Sequence, residues 1–257
     1  MQEAQSLFDN YPCILEVTKR PKRGLSPLHP LVKAIHKSHY DLVDLQEIET
    51  KLTQLKASNL LTEELKGHLA NPLQFFPSMA EVDVILRLME YGLDARWGND
   101  PPDIEIHNLQ VDVEVKRMSA ADRLKNAKEG EVVELDDIQR MRAIIRRDVL
   151  KSVRDEHVFI LVIMAENFGL DEFRDLFLDE GITADPKSKG LFCRPEYSSI
   201  SAAVSMMEPF LWPVRRLVPP GRRSPSFIGV LNPKGEKEVP VALRNVFSIV
   251  RPEDFTY

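Results

Sequence analysis

The chain has 257 residues, 43% of them hydrophobic and 29% charged, which is an ordinary globular composition with length enough for one well-buried core or two smaller ones. Its formal net charge of -6 argues against a protein that coats nucleic acid through bulk electrostatics. No apolar run approaches the roughly 20 residues that span a bilayer, and the start of the chain, with Glu3 and Asp9, lacks the basic-then-apolar order of a signal peptide. The expectation is a cytoplasmic chain with no membrane partner, whose Cys13 and Cys193 stay reduced.

Tyr11 to Val17 forms a short apolar piece followed by a basic loop with Lys19, Arg20, Lys22 and Arg23. From Pro30 to Leu55, Leu31, Ile35, Leu42, Leu45, Ile48 and Leu52 recur at three- and four-residue spacing, which predicts amphipathic helix. Leu61 to Leu69 reads as a further short helix ending before Pro72. A helix then opens at Ser78-Met79-Ala80-Glu81, carries Val82, Ile85, Leu86, Leu88 and Met89, and stops at Gly92.

Leu93 to Trp97 is a strand candidate, followed by the turn Gly98 to Pro102. Asp103 to Ile106 and Val111 to Lys116 alternate charged with branched residues, the pattern of two half-buried strands. Ser119 to Glu131 reads as a loop. Leu135 to Val153 returns to helical spacing, with Ile138, Met141, Ile145 and Val149 on one face and Arg140, Arg147, Lys151 and Arg154 on another. His157 to Ala165 is an apolar run of strand length, read as a strand covered on both faces. Beyond it the reading is a helix over Leu170 to Asp179, another over Ser198 to Phe210, and strands over Phe227 to Leu231 and Val239 to Val250. The expected division is a mainly helical region over 1–76, a core over 77–165 and a C-terminal extension over 166–257 packed on that core. The fold class is α/β with a mixed sheet.

Side chains alternate faces along a strand, so Asp112, Glu114 and Lys116 share one face, as do Asp103 and Glu105. A two-residue connection at Asn108-Leu109 would oppose 105 to 112 and 103 to 114, and opposed residues point the same way. Four carboxylates then crowd one face with a single lysine among them. Their mutual repulsion calls for compensation, which a divalent cation would supply, since Mg²⁺ takes one or two protein carboxylates together with water and phosphate oxygens.

Pro102-Asp103 followed by Glu114-Val115-Lys116, on the second and third strands after a helix bearing Glu81, resembles the PD-(D/E)xK nuclease superfamily, the restriction-endonuclease-like fold. The resemblance covers residues 77–165 in motif and in element order: helix, three strands, helix, strand. It implies a hydrolase, a DNA endonuclease of defence, repair, recombination or transposition, with Mg²⁺ as cofactor and Mn²⁺ as substitute. Asp103 and Glu114 would be metal ligands, assisted by the main-chain carbonyl of Val115, and Lys116 would stabilise the attacking water and the transition-state charge. Glu81 either faces that metal or closes a capping box with Ser78. Glu105 and Asp112 are supporting residues, or alternative ligands in another register. Gln139, Arg140, Arg147 and Lys151 either meet phosphates or form a solvated face paired with Asp136, Asp137 and Asp148.

Other readings stay beside this one: a non-catalytic nucleic-acid- or protein-binding module on the same fold, a nuclease activated by a protein partner, an RNA-directed nuclease, and a homodimer. His36 and His39 read as a surface pair rather than a zinc site. Trp212 with Arg215, Arg216, Arg222 and Arg223 reads as a proline-rich surface loop more than as a grip on single-stranded nucleic acid.

Overall fold

The computed structural model describes residues 8–19, 25–26, 29–35, 44–98, 101–118, 137–165, 169–179, 189–207 and 225–255. The loop over Ser119 to Glu131, His36, His39, Trp212, Arg20, Lys22, Arg23 and the arginines from 215 to 223 lie outside these residues. The chain divides into two compact units, residues 1–90 with 208–225, and residues 91–207 with 226–257. The division falls after Glu90, not at 76 and 165, because the segment beyond 165 supplies strands to the same sheet as the segment before it.

The first unit is helical: α1 (Pro12–Thr18), α2 (Pro30–Ile35), α3 (Leu45–Ala57), α4 (Glu63–Ala70) and α5 (Phe75–Glu90). Its helix starts follow local chemistry. Asp44 accepts from Gln46 and Glu47 N–H at the start of α3, and Thr62 accepts from Leu65 N–H at the start of α4. The first turn of α1 has no cap of its own, and Glu49 reaches over from α3 to accept from Cys13 and Ile14 N–H, both at 2.9 Å. Lys51 on α3 is half-buried and pairs with Glu47 at 2.8 Å and Asp83 at 2.6 Å. Burial pulls the Lys51 pKa down, yet the two carboxylates outweigh it and the net shift is upward.

Helix α5 begins at Phe75, three residues before the expected start, and Ser78 N–H donates to Gln74 O within it. Ser78 is therefore no N-cap, and the capping-box role for Glu81 falls away: Glu81 stands half-buried in the second turn. The helix ends before Gly92, whose φ of 75° is the left-handed conformation that glycine adopts without a Cβ penalty.

His29 is fully buried in this unit. Its Nε2 lies 2.8 Å from Leu69 O, and its Nδ1 accepts from Leu31 N–H at 3.2 Å, an arrangement only the neutral ring satisfies. Burial holds its pKa below the ordinary imidazole value of 6.5. The unfolded chain then binds more protons than the folded one between the two values, so stability is full above pH 6.5 and is lost as pH falls through that window. Melting curves from pH 7.5 down to pH 5 are expected to fall for the native protein and to flatten in His29→Gln.

Among the described residues the second unit is built on a seven-stranded mixed sheet of sequential order: β1 (Ala95–Trp97), β2 (Ile104–Ile106), β3 (Val111–Met118), β4 (Val158–Ala165), β5 (Ala202–Met207), β6 (Ser226–Leu231) and β7 (Ile249–Val250). The pairings β1–β2, β2–β3 and β5–β6 are antiparallel, and β3–β4, β4–β5 and β6–β7 are parallel. Helices α6 (Asp137–Arg147), α7 (Leu170–Phe177) and α8 (Val241–Val246) accompany it. On one face Phe159, Leu161 and Ile163 of β4 pack with Met141 and Ile145 of α6 and Phe173 of α7. Among the described residues no helix is long and apolar enough to cross a membrane.

Two C-terminal expectations are corrected. Ser198 to Phe210 does not begin a helix: Ala202–Met207 is β5, between β4 and β6. Alanine and methionine favour helix weakly, and central, wholly buried pairing overrides a preference of that size. Val239 to Val250 is not one strand: Pro240 opens α8, Ser248 turns with φ 49°, and two residues remain for β7.

Candidate functional site

The register between β2 and β3 decides what the acidic residues can do together. Ile104 pairs with Val113, Glu105 with Asp112 and Ile106 with Val111, so Asp103 continues the ladder opposite Glu114. The connection is a 3-10 turn over His107–Leu109, closed by Gln110 in the left-handed region. Parallel pairing with β4 puts Asp112, Glu114 and Lys116 on the face of Phe159, Leu161 and Ile163, which explains their burial: Asp112 is 0% exposed and Glu114 3%.

Asp103 is delivered by the turn after β1. Gly98 N–H donates to Asp103 O at 3.0 Å, the Pro101–Pro102 peptide is cis, and the Gly98 Cα lies so near Pro102 that a Cβ there would stand 1.9 Å from its carbonyl oxygen. Glycine is required by this close approach. Trp97 pairs with Ile104 beside the turn. Asp103 Oδ2 accepts from Val115 N–H at 2.7 Å, and the Val115 carbonyl faces the same edge of β3 as its N–H. Lys116 Nζ forms an ion pair with Glu114 Oε1 and lies 3.8 Å from Asp103 Oδ2. Asp103, Glu114 and Lys116 are thus brought together.

Burial, and then the charge of Asp103, push the Glu114 carboxyl above the ordinary value of 4.5, against the pull of Lys116. Its second oxygen, Oε2, is buried with no hydrogen-bond partner among the described residues. A buried carboxylate oxygen left without a donor is costly unless something positive is meant to meet it. The donor set of two carboxylates and a main-chain carbonyl, all oxygen, fits a hard divalent cation. Among the described residues no group of three or more His, Cys, Asp or Glu side chains is arranged as a metal site, so water and substrate oxygens would complete the shell.

The expectation that a cation compensates all four acids is corrected. Arg154 does so for half of them: its Nε donates to Asp112 Oδ2 at 2.6 Å, its Nη2 to Asp112 Oδ1, and its Nη1 to Glu105 Oε1 at 3.0 Å. His157 Nδ1 meets Asp112 Oδ1 at 2.9 Å, and His107 Nε2 lies 3.2 Å from Glu105 Oε2. Sequence reasoning missed these roles. The available signal was that the one lysine on this face, Lys116, cannot balance four carboxylates; parallel β3–β4 pairing then sets Val158 beside Val111 and brings the residues preceding β4 to Asp112.

The remaining candidates lie on α6 and in the turn after it. Gln139 is exposed and Arg140 half-buried. Arg147 is engaged with Asp148 through Nε at 2.8 Å and Nη2 at 2.7 Å, the solvated-face pairing, and that pairing holds Asp148 below the usual carboxylate range. Lys116 and Lys151 add smaller attractive contributions there, which puts the start of this turn within electrostatic reach of the site. Glu81 belongs to the other unit. No protein-family model, curated protein or solved structure matches this chain.

Proposed function

We propose that the chain is a metal-dependent nuclease of the PD-(D/E)xK type, a restriction-endonuclease-like enzyme that hydrolyses phosphodiester bonds in DNA. The observation that carries the reading is the Glu114 carboxylate: buried, opposite Asp103, paired with Lys116 through one oxygen and holding the other without a donor. The geometry supports the site, and the choice of DNA rests on the resemblance of Pro102-Asp103 and Glu114-Val115-Lys116 to that superfamily.

Asp103 and Glu114, with the carbonyl of Val115, would hold Mg²⁺ or Mn²⁺. Bound there, the ion supplies Lewis-acid activation of a water and neutralises charge on the leaving oxygen. The hydrogen bond from Val115 N–H fixes Asp103 on the edge where its partner carboxylate stands, so the ligands are oriented before substrate arrives. Lys116 stabilises the negative charge that grows on the phosphoryl oxygens as water adds. The new P–OH bond forms as the P–O bond to the leaving nucleotide breaks, the proton passes to the leaving oxygen, and no covalent enzyme intermediate arises.

The test is cleavage of circular single-stranded and supercoiled double-stranded DNA, and of RNA, with Mg²⁺, Mn²⁺ or EDTA, by the native protein and by Asp103→Ala. Metal-dependent cutting of a circle that disappears in the variant is the expected result. Cutting that survives Asp103→Ala would overturn the site, and cutting of RNA alone would overturn the substrate class.

A further inference from the structure

Two cross-strand acid pairs stand on one face of β2 and β3, Asp103 opposite Glu114 and Glu105 opposite Asp112, about 7 Å apart along the strands. Their charge is the same and their surroundings differ. Every oxygen of the Glu105–Asp112 pair has a nitrogen neighbour: Arg154 Nη1 and His107 Nε2 for Glu105, Arg154 Nε and Nη2 with His157 Nδ1 for Asp112. Glu114 Oε2 has no hydrogen-bond partner among the described residues. The guanidinium fork spans both strands, so one rigid cation neutralises two carboxylates that would otherwise repel each other at a buried cross-strand position.

We infer that Arg154 is a positioning residue that occupies the place of a second cation, restricting the acidic face to a single divalent ion at Asp103 and Glu114. The inference rests on the metal reading of that site and adds its stoichiometry. Arg154 also ties Glu105 on β2 to Asp112 on β3, which fixes the register that sets Asp103 against Glu114 two residues further along. A guanidinium does both tasks because it is charged at any working pH and carries its donors in a fixed plane.

The experiment counts Mn²⁺ bound per chain, by calorimetric titration and by the electron paramagnetic resonance signal of free ion. The native protein is expected to bind one ion. Arg154→Gln uncovers the Glu105–Asp112 pair and is expected to bind two, while Arg154→Lys keeps the positive charge and restores one. The double variant Asp103→Asn with Glu114→Gln, which leaves Arg154 in place and removes like charges, is expected to bind none, and it keeps the test decisive if Arg154→Gln does not fold. One ion in Arg154→Gln would overturn the inference while leaving the native single site standing, and one ion still bound by the double variant would place the native ion elsewhere and overturn the metal reading and the inference together. No ion bound by the native protein would overturn the metal reading and this inference with it.

Discussion

Lys116→Met is expected to lose about 10²- to 10³-fold in cleavage rate while keeping its divalent ion. Methionine keeps an unbranched, flexible stem one atom shorter and removes the ammonium, so packing beside β3 changes little. Without metal the variant is expected to melt lower than the native protein, by about 1–3 kcal/mol of stability, because Glu114 Oε1 then joins Oε2 as a buried oxygen without a donor. With Mn²⁺ the deficit should shrink, since an ion that binds only the folded state stabilises it by mass action. The metal-induced rise in melting temperature is therefore larger in Lys116→Met than in the native protein. A variant with native cleavage would remove Lys116 from the reaction, and one whose melting temperature ignores Mn²⁺ would remove the ion.

The second large effect is expected at a residue that touches no metal and no substrate. Gly98→Ala places a methyl group 1.9 Å from the Pro102 carbonyl oxygen and 2.8 Å from its carbon, far inside contact distance. The obstacle is backbone, so no rotamer change relieves it. Proline φ is locked, and the same carbonyl belongs to the peptide that leads into Asp103. The overlap opens the Gly98 N–H to Asp103 O hydrogen bond and moves Asp103 away from Val115 N–H. The expected cost is about 3 kcal/mol in urea denaturation, with cleavage down about 10²-fold, since a shift near 1 Å in a positioned group has that effect. Gly92→Ala is the control. It carries the strain of a φ of 75° but meets nothing within 4 Å, so it should lose about 1 kcal/mol of stability and keep native metal affinity.

Much of the site was legible in the sequence because a strand has a strict period of two. Alternation put Asp112, Glu114 and Lys116 on one face without any knowledge of the fold, whereas the pairing of 105 with 112 was conditional on a two-residue loop; the connection takes four residues, 107–110, and keeps that register. The same logic identified β4, whose apolar run predicts cover on both faces, and Phe159 to Met164 are buried throughout. Helix α5 was legible in its periodicity and its glycine stop but not in its start. Ser78 and Glu81 match a capping pattern by letter, while the hydrogen-bond ladder begins at Phe75.

Local sequence by itself thus determined which acids face one way, where the buried strand runs and which turn delivers Asp103, because each depends on neighbours a few residues apart. Tertiary structure alone decided which of those acids are already neutralised. Arg154 and His157 are 42 and 45 residues from Asp112, and they reach it only because β4 pairs parallel to β3. It decided β5 as well, where burial between two strands outweighs the helical preference of alanine and methionine, and the Glu49 cap on α1, which is supplied from 35 residues away. Charge compensation, capping at a distance and central strand pairing act through space, and separation along the chain carries no record of them.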